Sequence, residues 1–181
     1  YRDYRNLVAR NDIDAVSMAT PDHWHGLVAA AAAEAGKDIY GEKPLSHSIT
    51  EGRAICDAVA RNNRIWQTGS WQRSVPNFRF ACELVRNGLI GRVRTVHVGL
   101  PSGFSANTTP DDLKIQPPPD HLDYNFWVGP SPWAGYFPAK THWNWRWQLD
   151  FGGGQLLDWI GHHQDIAHWG LNMDYDSPIE V

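Results

Sequence analysis

The chain has 181 residues, enough for one domain or parts of two, with 42% hydrophobic and 20% charged residues, an ordinary balance for a folded protein. The net charge of −4 gives no basic footprint for nucleic acid, and no apolar run reaches the roughly 18 residues of a membrane span. Two cysteines, Cys56 and Cys82, do not make a disulfide framework; both are expected as buried thiols.

Taken in order, residues 1–10 read as a helix, with Tyr4, Leu7 and Val8 at helical spacing. Residues 14–20 form a short buried strand. Thr20 is expected to cap the next helix, with Pro21 at its first position, and an alanine-rich run to Ala35 carries that helix to a stop at Gly36. A second strand, residues 38–41, leads into Glu42-Lys43-Pro44. Proline restricts the residue before it, so Lys43 is held extended just past a strand end. A helix over 46–62 and a strand over 65–69 complete a β-α-β-α-β alternation, which argues a parallel sheet with crossover helices. Right-handed crossovers set the three strand ends on one edge, where open α/β sheets keep their ligands.

A helix over 75–87 closes at Gly88. Arg92 to Leu100 alternates in side-chain character and reads as a strand opening an antiparallel sheet. Residues 102–120 are a long polar loop, expected to be a lid or an insertion. Seven of the ten tryptophans lie between Trp127 and Trp169. Trp143, Trp145 and Trp147 alternate around Arg146, a pattern expected of a strand with its tryptophans on one face. Such a face suits a sugar ring, a buried aromatic core or a subunit interface. Gly152-Gly153-Gly154 opens a helix that runs to about Trp169. On it Asp158 and His162 share a face, a pairing that can make a general base or a surface pair. His163, Asp165 and His168 thicken the cluster, but candidates on one helix point in different directions, and no metal site is expected. Ile179-Glu180-Val181 reads as the start of a further strand.

These motifs occur together in one order. They are Ala19-Thr20-Pro21-Asp22-His23-Trp24-His25, then Ala35-Gly36-Lys37-Asp38-Ile39-Tyr40 leading to Glu42-Lys43-Pro44, then Gln72-Arg73, then Gly88-Leu89-Ile90-Gly91-Arg92-Val93, then the glycine triplet with Asp158 and His162. The set resembles the glucose–fructose oxidoreductase / inositol dehydrogenase / rhizopine catabolism (Gfo/Idh/MocA) family of nicotinamide-dependent oxidoreductases. The resemblance implies an α/β fold: the C-terminal part of a Rossmann-type parallel sheet over residues 1–73, then part of an α+β domain with a mainly antiparallel open sheet over residues 74–181. It implies NAD or NADP as cofactor, flanked by Thr20, Pro21 and His25, with Glu42 at the nicotinamide ribose and Lys43, often beside a cis proline bond, between nicotinamide and substrate. Gln72 falls at the cofactor side of that junction. Arg73, Arg146, Asp158, His162 and His163 fall to the substrate, with Lys43, Asp158 and His162 catalytic.

The implied activity is oxidation or reduction of a hydroxyl or ketone on a sugar, sugar derivative or cyclitol. His162 would exchange the proton, Asp158 would orient its imidazole, and Lys43 would stabilise charge on oxygen. Two other readings use the same residues: an NAD-dependent, redox-neutral glycoside-cleaving enzyme, and an inactive carbohydrate binder. The expected partner is a small carbohydrate or cyclitol, with no nucleic acid and no membrane, in a homo-oligomer (dimer or tetramer) of the full-length protein. The sequence holds no glycine-rich phosphate loop before its first strand, so it is expected to be an internal piece of a longer protein. Any export signal would then lie upstream, leaving a cytoplasmic or periplasmic location open.

Overall fold

A computed structural model describes residues 1–102 and 108–176. The expected strand at 179–181 lies outside them, as does part of the expected lid loop. The chain forms two compact units, one of Tyr1–Gly69 and Gly103–Asp158, the other of Ser70–Ser102 and Trp159–Val181.

In the first unit a short helix, α1 (Tyr4–Val8), precedes β1 (Ala15–Met18), α2 (Asp22–Glu34), β2 (Asp38–Glu42), α3 (Ile49–Arg61) and β3 (Trp66–Gly69). The strands form one parallel sheet in the order β1-β2-β3, with Val16 opposite Ile39 and Ile39 opposite Trp66. Ala29, Ala32 and Ala33 of α2 are fully buried, so the alanine run packs this helix closely onto the sheet. Ile39 and Ile55 fill the same core, and each contributes about 2–3 kcal/mol by leaving water. Gly41 is required here: a Cβ would sit 2.3 Å from the Trp66 ring that lies across β2. Helix α3 begins at a reciprocal cap, Ser48 Oγ accepting from the Glu51 amide and Glu51 Oε2 from the Ser48 amide. Pro21 is itself the residue before α2, and the Thr20 hydroxyl makes no capping bond, contrary to the expected cap.

Residues 108–158 fall in the same compact unit as this sheet. Aromatic side chains are the cause. The Trp127 carbonyl, on α5 (Tyr124–Val128), accepts from both His23 Nε2 and Trp24 Nε1 of α2, at 2.9 and 3.1 Å. Gly129, at φ 52°, lets Trp24 lie where a Cβ would come within 2.2 Å. Tyr124, Tyr136, Trp145 and Phe151 form the core beneath.

The second unit contains a 3-10 turn (Trp71–Ser74), α4 (Pro76–Arg86) and most of α6 (Gly154–Gly170), which starts in the first unit. Buried Cys82 of α4 faces Gly170 of α6, and Cys56 is exposed rather than buried; both are free thiols. Residues 92–100 carry no regular secondary structure, against the expected strand. Alternation alone does not hold a strand, which needs ladder bonds to a neighbour; the described residues of this unit include no other strand. No helix among the described residues is long and apolar enough to cross a membrane.

Candidate active site

Lys43 is the first residue past β2, at the carboxyl edge of the parallel sheet, and its bond to Pro44 is cis. Its ammonium donates to the Asp158 carbonyl at 2.6 Å and to Asp158 Oδ1 at 2.9 Å. Both side chains are largely shielded, at 16% and 15% exposure. The same Oδ1 lies 3.4 Å from Arg146 Nε. One carboxylate oxygen therefore faces two cations, while an ammonium with three donors keeps one beyond those engaged by Asp158.

Arg146 is set by aromatic rings. Its guanidinium lies 4.4 Å from the Trp143 ring centre and 4.6 Å from that of Trp145. The segment His142–Trp147 is a 3-10 helix, not the expected strand. With three residues per turn, Trp143 and Arg146 eclipse, so the arginine stacks on a tryptophan that a strand would have sent to the opposite face.

Asp22, the first residue of α2, was not singled out in the sequence. It is 6% exposed, and its carboxylate accepts no hydrogen bond among the described residues. Burial pushes its carboxyl up to about 6; Lys43 opposes that shift most strongly, and Asp158 adds to it. The one sequence signal was an acid directly after Thr-Pro at a strand end.

His25 differs from expectation. Both ring nitrogens are engaged, Nδ1 with the Pro44 carbonyl at 2.7 Å and Nε2 with the Thr20 carbonyl at 2.8 Å, and the side chain is 1% exposed. It ties the end of β1 to the loop after β2 and has no polar atom to offer a nucleotide. Pro21 sits at the start of α2 beside it.

In the second unit, Arg73 forks onto Asp165, both bonds 2.7 Å, and reaches Asp174 at 2.7 Å. Those carboxylates hold its guanidinium in the charged form. Arg73 is thus engaged within this unit rather than open to a substrate. Gln72 is buried, and its Oε1 makes no hydrogen bond. His162 is 8% exposed, with Trp71 and Trp159 edge-on at 6.0 and 5.8 Å. His163 Nδ1 donates to the Gly99 carbonyl at 2.7 Å, which leaves Nε2 as the acceptor.

A parallel sheet whose carboxyl edge carries a lysine paired with an aspartate, itself facing an arginine, is an arrangement that suits an α/β enzyme. The chain belongs to the Gfo/Idh/MocA oxidoreductase family: residues 1–70 match its NAD-binding Rossmann fold and residues 77–181 its C-terminal alpha/beta domain. It is 40% identical over 91 residues to the levoglucosan dehydrogenase of Pseudarthrobacter phenanthrenivorans, a match covering 50% of this chain and 23% of that one. It is 39% identical over 80 residues to scyllo-inositol 2-dehydrogenase (NAD(+)) of Bacillus subtilis, covering 44% and 23%. Among solved structures, a levoglucosan dehydrogenase in complex with NADH and L-sorbose superposes at TM-score 0.66 and 28% identity, over 92% of this chain and 37% of that one. An oxidoreductase domain protein from Kribbella flavida gives 0.65 and 27%, over 94% and 38%. The chain thus spans between 23% and 38% of the length of these relatives.

The strand edge fits the nicotinamide half of such a nucleotide. The Thr20 hydroxyl at the end of β1 is buried without a hydrogen-bond partner. The Glu42 carboxylate lies over Gly69 at the end of β3, where a Cβ would come within 2.8 Å of it, and it accepts no hydrogen bond among the described residues. An unpartnered hydroxyl and a carboxylate beside neighbouring strand ends match the donors and acceptors of a ribose.

Proposed function

We propose that this protein is an NAD(P)-dependent oxidoreductase acting on a hydroxyl or ketone of a sugar, sugar derivative or cyclitol. The observation that carries the reading is the Lys43 ammonium fixed by Asp158 beside Arg146 at the carboxyl edge of the parallel sheet. NAD(P), when bound, accepts or returns the hydride. Thr20 and Glu42 bind its nicotinamide ribose, and Gly69 gives the Glu42 carboxylate its room.

The remaining work belongs to side chains. Lys43 points its third N–H at the substrate oxygen and stabilises negative charge developing there. Asp158 holds Lys43 by two acceptors, its carbonyl and its Oδ1, so its role is to fix the ammonium rather than only to orient an imidazole. His162, one turn further along α6, takes the hydroxyl proton in oxidation and returns it in reduction. Arg146, clamped by Trp143 and Trp145, supplies a second cation beside the substrate, and His163 Nε2 accepts from a substrate hydroxyl. His25 holds the β1 and β2 ends in register and touches no ligand.

The test is turnover of sugars and cyclitols by the intact protein with NAD⁺ or NADP⁺. Net formation of reduced nucleotide supports the reading. Cleavage of a glycoside without net reduced nucleotide would replace it with the redox-neutral alternative.

A further inference from the structure

Arg73 and Arg146 are both largely shielded arginines, and they differ in what is left over. Arg73 is saturated: the carboxylates of Asp165 and Asp174 take its charge and its fork. Arg146 is not. Its Nε faces Asp158 Oδ1 at 3.4 Å but is buried without a hydrogen bond. Its Nη1 donates to the Trp143 carbonyl at a long 3.4 Å, and Nη2 meets no acceptor among the described residues. The one carboxylate in ion-pair contact with it among those residues, Asp158, is already bonded by Lys43 at 2.9 Å.

Arg146 is also held still. Its side chain is 25% exposed, and the Trp143 and Trp145 rings lie 4.4 and 4.6 Å from its guanidinium. A solvated arginine turns its idle donors to water. One packed on two rings has few orientations left, and donors unmet there cost free energy. A guanidinium fixed in its plane and unfilled at one end is preorganised for a planar anion that accepts two bonds.

We propose that Arg146 is a specificity-determining residue that binds a carboxylate of the substrate, and that the substrate is an acidic sugar or cyclitol, such as a uronic acid. Lys43 and Arg146 face the same Asp158 oxygen, so the two cations lie no further apart than 2.9 and 3.4 Å laid end to end. One sugar ring spans that gap, with its reacting oxygen at the Lys43 ammonium and its carboxylate at the guanidinium. The substrate then brings the second negative charge for two cations that share one carboxylate. All the residues concerned belong to the first compact unit. The inference rests on the oxidoreductase reading and names its substrate class.

The test pairs acidic sugars with their neutral counterparts on the intact protein: D-glucuronate with D-glucose and D-galacturonate with D-galactose, each with NAD⁺ or NADP⁺. Glucose 6-phosphate is the phosphate control. Wild type should favour the acid in kcat/KM by about 10–100-fold, chiefly through KM, the range for hydrogen bonds to a charged group. Arg146→Met should bring the ratio of acid to neutral close to one. Arg146→Lys, which keeps the charge and loses the fork, should retain part of it. A wild-type ratio near one, or a ratio unchanged in Arg146→Met, overturns the proposal and leaves the oxidoreductase reading standing. A preference for the phosphate over both carboxylates overturns the assignment to a carboxylate.

Melting temperatures with the same sugars, in the presence of NAD⁺, need no turnover. The acid should stabilise wild type more than its neutral counterpart does, and Arg146→Met should lose the difference. If that difference holds but no sugar yields reduced nucleotide, the oxidoreductase reading fails and the carboxylate site stands. No difference and no turnover overturns both.

Discussion

Lys43 and Asp158 stand 115 residues apart in sequence, yet the lysine ammonium bonds both the carboxylate and the backbone carbonyl of the aspartate. Two acceptors from one residue fix the ammonium in direction as well as position. Breaking a shielded ion pair by removing one partner leaves the other uncompensated, so Asp158 and Lys43 act as a unit, with Arg146 as the second cation on the same oxygen.

His162→Ala is expected to lower kcat by about 10²–10⁴-fold, the range for a lost general base. Affinity for the nucleotide should hardly change, because the proposed nucleotide contacts lie at Thr20 and Glu42. Steady-state kinetics with nucleotide titration checks both halves, and unchanged kcat would move the proton exchange to His163.

Gly69→Ala is expected to raise the KM for nucleotide severalfold with little loss of stability. The added Cβ would meet the far end of the Glu42 side chain, at 2.8 Å, and a flexible terminus can turn away at small cost. Its carboxylate then leaves the strand edge. A melting curve beside a nucleotide titration checks this; an unchanged KM would remove Glu42 from the nucleotide site.

The parallel sheet was legible because its signals are local: apolar runs and a stop at Gly36, at φ 77° after α2, each act within a few residues. The strand ends carried the motifs for the same reason. The errors arise where conformation depends on partners. Residues 92–100 alternate like a strand, but the described residues of their unit hold no strand to pair with. Trp143 to Trp147 alternate too, yet a 3-10 helix eclipses every third residue and puts Arg146 on Trp143. The engagement of His25 and of Arg73 is tertiary, as is the burial of Asp22, and spacing alone carries none of it.

His23 gives the fold an acid limit. Burial lowers its pKa below the ordinary 6.5, with its Nε2 on the Trp127 carbonyl and its Nδ1 buried without a partner. A folded-state pKa below the unfolded one means that the unfolded chain binds the proton more tightly. The contribution of His23 is therefore fully present above pH 6.5 and is lost as pH falls through that value toward the folded-state pKa. Denaturant midpoints at pH 7.5 and 5 should show a smaller acid loss for His23→Gln than for wild type, and equal losses would assign the acid limit elsewhere.

The most direct measurement is nucleotide reduction by the intact wild-type protein and by Lys43→Met, over a panel of sugars and cyclitols. The wild type should form reduced nucleotide with at least one of them, and Lys43→Met should lower kcat/KM for that substrate by about 10²–10³-fold, the cost of one lost oxyanion donor. Turnover by Lys43→Met equal to that of wild type would contradict the account, because the Lys43–Asp158 pair would then lie outside the chemistry.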